Sequence, residues 1–165
     1  MNLEHVVTWS GQIAHNVLAP IEILQERKFC MRWLLVILAI FGIVVSGLAL
    51  REHYRTDVSP CSINARWDCG TVNHSPYAML YGVPVAVIGI GGYLFLALLA
   101  YCRAYAWMLP FVTVALLFAV HLADIEQYVL GTWCIYCAIS LGIISLLTLL
   151  VFGTVIATTA PRESR

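Results

Sequence analysis

Cys134 and Cys137 stand three positions apart at the head of a long apolar run, in Thr132-Trp133-Cys134-Ile135-Tyr136-Cys137. Gly131 and Thr132 read as a helix start with Thr132 as N-cap, which puts both thiols in the first two turns. Residues three apart on a helix have Cβ atoms about 5–6 Å apart, so small adjustments bring the two sulfurs within disulfide range. A helix N-terminus also favours the thiolate over the thiol. The chemistry this spacing points to is reversible dithiol–disulfide exchange; the plainer alternative is two buried thiols acting as small hydrophobes.

A second pair, Cys61 and Cys69, lies upstream in a polar stretch. Ser59-Pro60 reads as a helix start and Gly70 as a helix end, which would make Pro60 to Cys69 helical. An α-helix rises about 12 Å over eight residues, whereas bridged cysteines need Cα atoms within about 7 Å. Either the segment is broken, or Cys61 rides on a mobile arm that pairs with Cys69 part of the time. A thiolate attacks only a disulfide it can reach, so two pairs on one side of a barrier would pass electrons in sequence, outer pair to inner pair.

The elements that must position these pairs are apolar. The chain has 165 residues, 61% hydrophobic and only 11% charged, with a mean hydropathy of +0.87, which places it among membrane proteins. A formal net charge of zero gives no basic field for nucleic acid. Spans are expected at about 33–50, 83–101, 108–128 and 133–157. Pro84 is acceptable in the first turn of the second, and Gly89, Gly91 and Gly92 leave that helix thin on a face expected to pack inside the bundle. The expected organisation is an N-terminal cytoplasmic or interfacial segment over 1–29, a surface helix interrupted near Pro20 rather than a cleaved signal. A four-span domain follows over 30–157, then a polar cytoplasmic tail over 158–165. No repeat and no attached soluble domain is read in the sequence. The fold class is an all-α membrane protein, a four-helix transmembrane bundle with a short extracytoplasmic cap loop or helix between spans 1 and 2.

Arg27, Lys28, Arg32, Arg103, Arg162 and Arg165 fall on one side of such a bundle, and Arg51, Arg55 and Arg66 on the other. The positive-inside rule therefore favours cytoplasmic termini in a multi-pass protein of the cytoplasmic membrane. In either orientation two spans separate Cys61 and Cys69 from Cys134 and Cys137, so all four share a side, expected to be the periplasm or exterior, where disulfides persist. Cys30 and Cys102 share the other side and are assigned to structural packing. The final electron acceptor must then lie within the membrane, and a lipid-soluble quinone that accepts two electrons fits.

Cys61 and Cys69, Ser75-Pro76-Tyr77, Gly82-Val83-Pro84, Gly89 and Cys134-Ile135-Tyr136-Cys137 form a combination that resembles the vitamin K epoxide reductase family, in particular its bacterial homologues, over about 33–157. The resemblance implies a quinone-dependent thiol oxidase supporting disulfide formation. Cys61 would exchange with a reduced, DsbA-like thioredoxin-fold protein, Cys69 would pass electrons to Cys134, and Cys137 would face the quinone. The acceptor would be ubiquinone, menaquinone or a vitamin K-type quinone from the membrane pool. Ser75 matches the family's hydroxyl near the quinone, although a helix-cap role ahead of Pro76 reads almost equally well. Tyr77, Trp133 and Tyr136 are expected to line the quinone pocket, with an interfacial aromatic belt as the plainer reading of Trp133 and Tyr136. Animal members carry a tyrosine where this chain has Leu141 and an asparagine aligned with Val85, which favours plain quinone reduction over epoxide reduction. Many bacterial members carry a fused thioredoxin-like domain not seen here, so the partner is expected to be a separate chain.

Ionisable groups at membrane depth default to a functional reading. His121 and Asp124 are three apart and could relay protons on one face; Asp124 and Glu126 also lie near the outer interface, where water would solvate them. Two other classes remain open: a claudin-type structural tetraspan protein, suggested by Trp67 between two loop cysteines, and a four-thiolate metal site. The first gives no reason for Cys134 and Cys137; the second would be redox-silent and would bind metal stoichiometrically.

Overall fold

The computed structural model describes residues 29–57, 59–64 and 66–159, without the side chains of Thr158 and Thr159. The expected surface helix before Phe29 and most of the polar tail lie outside the described residues. Residues 29–34 open the first helix, α1 (Phe29–His53); the compact unit Leu35–Arg165 carries the rest of the fold.

After α1 the chain runs through an irregular loop into a short helix, α2 (Cys69–Asn73), then a 3₁₀ turn over Pro76–Ala78. Two short strands, β1 (Met79–Leu80) and β2 (Val83–Pro84), pair antiparallel with Leu80 opposite Val83. Their two-residue turn needs positive φ at both positions, and Tyr81 (51°) and Gly82 (82°) supply it. Then come α3 (Val85–Tyr101), α4 (Tyr105–Ile125), a π-helical turn over Glu126–Leu130, and α5 (Ile135–Thr159).

Three helical stretches, Phe29–His53, Tyr105–Leu130 and Ile135–Ala157, are long and apolar enough to cross a membrane. The expected second span differs. Val83 and Pro84 are taken by the hairpin, so Pro84 precedes the helix rather than sitting in its first turn, and α3 keeps 17 residues. That is about 25 Å of helix, a little short of a hydrocarbon core of about 30 Å.

Small residues and a few buried polar contacts join these helices, as expected where lipid gives little hydrophobic drive between them. A Cβ on Gly42 of α1 would fall 2.5 Å from the ring of Tyr93 on α3, and one on Gly89 of α3 would fall 2.9 Å from Ser46 Oγ on α1. Gly91 and Gly92 do not share that role: neither has a neighbour within 4 Å of a Cβ. They sit two and three positions past Gly89, rotated off the contact with α1; Gly92 faces a cavity instead. The Tyr93 hydroxyl reaches α5, donating to the Ser140 carbonyl at 3.0 Å and lying 2.9 Å from Ser140 Oγ. On the other side of α3, the rings of Phe95 and Phe111 meet edge to face at 4.9 Å and tie α3 to α4.

Cys30 and Cys102 are exposed rather than packed. Cys102 falls in the turn after α3 and Cys30 near the start of α1.

Candidate functional site

Cys61 and Cys69 are joined in a disulfide with Cα atoms 5.5 Å apart. The helix read over Pro60–Cys69 is absent; the helix begins at Cys69 instead. The reason lies in the side chains between. Asn64 Oδ1 accepts from the backbone N–H groups of Arg66 (2.9 Å) and Trp67 (3.0 Å), folding the chain back in an Asx turn. Asp68 then caps α2, accepting from Gly70 N (3.0 Å) and Thr71 N (3.3 Å). Its carboxylate also accepts from the hydroxyls of Thr71 (2.6 Å) and Ser62 (2.5 Å). These bonds, that from Ser62 first and then that from Thr71, hold the Asp68 carboxyl below the usual carboxylate range, with a small opposing effect of burial.

The loop is laid against the start of α5 by two backbone bonds. Asp68 N donates to the Trp133 carbonyl (3.1 Å) and Trp133 N to the Arg66 carbonyl (2.8 Å). Residues 66–68 and Trp133 thus run side by side, and Cys69 and Cys134, each the next residue, are buried in one apolar cluster with Cys61 and Val72. Cys134 and Cys137 are both free thiols. The outer pair is oxidised and the inner pair reduced, and the two are in contact.

Thr132 does not cap α5. Gly131 at φ 65° turns the chain, the buried Thr132 hydroxyl makes no hydrogen bond among the described residues, and Cys134 precedes the helix with its carbonyl accepting from Ala138 N at 3.0 Å. The free Cys134 N–H donates to Glu126 Oε2 at 3.0 Å. Glu126 also hydrogen-bonds the Cys137 thiol. Far from being solvated at the interface, Glu126 is only 3% exposed. On the opposite flank Asn73 Nδ2 donates to the Cys69 carbonyl at 2.9 Å and to Cys134 Sγ at 3.5 Å. The Cys137 hydrogen bond holds the Cys134 thiol below its usual range, against burial and against the Glu126 charge.

A cavity of about 430 Å³ opens beside the inner pair, with walls from α1, α3, α4, α5 and the α2 segment. Its lining is mainly aliphatic and aromatic, and its polar groups include Ser75, Asn73, Glu126 and Ser140. Such a size and lining fit a flat, mostly apolar ring with a few oxygen atoms to orient. Cys137, Ser75, Tyr77 and Tyr136 all line it. The Ser75 hydroxyl donates to the Val72 carbonyl at 2.8 Å, closing α2 rather than capping the turn that begins at Pro76.

Trp133 lies elsewhere. Its ring is tilted against Trp67 at 6.2 Å and its Nε1–H donates to Gln127 Oε1 at 2.8 Å, beside a shallow depression away from the cavity. His121 and Asp124 are exposed on α4 and line neither the cavity nor the dithiol, whereas Leu122 and Ile125 of the same turns do face the cavity.

The residue pattern of the Vitamin K epoxide reductase family matches residues 33–152, which takes in all four of these cysteines and runs from within α1 to within α5. The chain belongs to this family. It is a membrane oxidoreductase of the disulfide-forming or quinone-reducing kind that the family comprises. No curated protein matches the chain at a significant level. Two residues within the vitamin K epoxide reductase family match, Asn73 and Glu126, touch the inner pair although neither stands out as a site residue in the sequence. Asn73 carries a legible signal, since it lies four residues after Cys69 and so on the same face of any helix that starts there. Glu126 carries a weaker one, a carboxylate in an apolar run, because nothing local shows that the chain turns back upon it at Gly131.

Proposed function

We propose that this protein is a thiol oxidase that carries electrons from a reduced, thioredoxin-fold dithiol protein outside the cytoplasm to a quinone in the membrane. The observation that carries the reading is the contact of an oxidised outer pair with a reduced inner pair, the inner pair opening in turn onto an apolar cavity. The partner's thiolate attacks Cys61, freeing Cys69, and the partner's second thiol then breaks that mixed disulfide, so that the partner leaves with its own disulfide and Cys61 is freed. Cys69 attacks Cys134 of an oxidised inner pair, and Cys61 then resolves the Cys69–Cys134 bond, restoring the Cys61–Cys69 disulfide and leaving Cys134 and Cys137 reduced. A quinone in the cavity supplies the acceptor for two electrons and two protons.

Cys137 faces that acceptor, with Ser75, Tyr77 and Tyr136 around the ring and the Ser75 oxygen within reach as a polar contact. Trp133 contributes by holding the loop and its Trp67 partner rather than by touching the ring. With α3 taken as a short fourth span, both pairs share one side, and the Arg and Lys distribution favours that side being outside and the termini cytoplasmic. A plain ubiquinone or menaquinone is the favoured acceptor, because Val85, which lines the cavity, and Leu141 stand where animal members carry an asparagine and a tyrosine.

The test is anaerobic quinone reduction by the purified protein with a reduced thioredoxin-fold donor, wild type against Cys137→Ala. Turnover by wild type and its loss in the variant is expected. An inactive wild type over several quinones would sink the reading.

A further inference from the structure

Among the described residues Glu126 is the one carboxylate that meets both inner cysteines, and the sulfur chemistry described so far makes no use of it. Its Oε2 accepts from Cys134 N–H at 3.0 Å, the Cys137 thiol hydrogen-bonds to the carboxylate, the side chain is 3% exposed, and it lines the same cavity as Cys137. A buried carboxylate is costly unless its lone pairs are taken up. Here one of the two donors is a group that must lose its proton for the reaction to go forward.

We infer that Glu126 is a catalytic residue, the base that takes the Cys137 proton as the inner disulfide forms and delivers it to the acceptor in the cavity. The inference rests on the quinone oxidase reading above. The reduced pair enters as the Cys134 thiolate and the Cys137 thiol, the Cys134 proton having left to the solvent side. Two electrons leave the sulfurs and the Cys134–Cys137 bond forms. The Cys137 proton passes to Glu126 and from it to one oxygen of the quinone, and one solvent proton completes a two-electron, two-proton reduction. Glu126 ends ionised, as it began. The Cys134 N–H bond fixes the carboxylate through the cycle, so the same group that terminates α5 is aimed at its third residue.

The test compares Glu126→Gln, which keeps an oxygen for the Cys134 N–H but cannot carry the proton, and Glu126→Asp, which can carry it from one methylene farther away. Both are assayed with decylubiquinone and a reduced thioredoxin-fold donor. General-base contributions are about 10²–10⁴-fold. Glu126→Gln is expected to lose at least about 100-fold in kcat with KM for the quinone within about twofold, and Glu126→Asp to keep about a tenth of the wild-type rate. In the reduced protein, Cys137 alkylation by iodoacetamide, read peptide by peptide, should be faster in Glu126→Gln, because a negative charge that repels the thiolate is gone.

A Glu126→Gln kcat within about twofold of wild type overturns the inference, as does an equal loss in Gln and Asp variants with Cys137 alkylation suppressed, the mark of a purely positioning role. Should Glu126→Gln fail to fold, a Glu126→Asp protein of unchanged kcat overturns it alone. If wild type reduces no quinone, the oxidase reading fails separately, and unchanged alkylation of Cys137 in Glu126→Gln then overturns the Glu126–Cys137 contact itself.

Discussion

Asn73 and Cys134 are 61 residues apart in the chain, and the Asn73 amide donates to the Cys134 sulfur at 3.5 Å while also holding the Cys69 carbonyl at 2.9 Å. One side chain therefore links the two cysteines between which the proposed electron path runs. A neutral hydrogen bond contributes about 0.5–1.5 kcal/mol, and one to a charged group about 1.5–3. Asn73→Ala should slow transfer from Cys69 to Cys134 by about tenfold, read by stopping the reaction with acid and mapping disulfides. An unchanged rate would show that burial alone sets the contact.

The Cys134 thiol is held below its usual range chiefly by the Cys137 hydrogen bond. Thiolate appears as pH rises through the thiol's pKa, so the alkylation rate of Cys134 in the reduced protein should climb at a lower pH than for a free cysteine, about 8.5. Cys137→Ala removes the donor and should move that climb to higher pH. A curve that stays in place would assign the shift to another neighbour.

Asp68 gives a second pH dependence, in stability rather than reactivity. Its folded-state pKa is lowered by the Ser62 and Thr71 hydrogen bonds, so its stabilising effect is fully present above the unfolded value of about 3.9. It is lost as pH falls from there through the folded value. Hydrogen-exchange protection of the Gly70 and Thr71 amides, both bonded to Asp68, should hold above that window and fade below it. Asp68→Ala should remove the protection at all pH values, at a cost of about 0.5–2 kcal/mol to the α2 start.

The glycines of α1 and α3 should respond unequally. Gly42→Ala drives a methyl into the Tyr93 ring, a contact of 2.5 Å that Tyr93, anchored on Ser140, is poorly able to relieve. About 1–3 kcal/mol of destabilisation is expected, seen as a lower Tm in detergent. Gly91→Ala meets nothing within 4 Å and should leave Tm unchanged.

Gly92 faces the cavity with space around it. Gly92→Leu should fill part of the volume a quinone would need, raising KM for the quinone by about tenfold or more while leaving reduction of the Cys61–Cys69 disulfide by the donor intact. If both steps fell together, the substitution would have disturbed the bundle rather than the cavity.

The family of this protein was legible in its residues because the signals are local. Cys134 and Cys137 are set close together by spacing alone, apolar runs long enough to span a membrane announce themselves residue by residue, and the order of Cys61, Cys69, Ser75 and the Cys-x-x-Cys pair carries the family pattern. What needed the tertiary structure was every relationship that crosses a chain reversal. Asn64 and Asp68 break the segment read as a helix and so let Cys61 reach Cys69. Gly131, by turning the chain at φ 65°, returns Cys134 to a carboxylate eight residues behind it. The helical phase of α4 then decides that His121 and Asp124 face outward. A buried carboxylate and an exposed one are the same letter in sequence; only the packing around Glu126 gives it two hydrogen-bond donors from the inner dithiol.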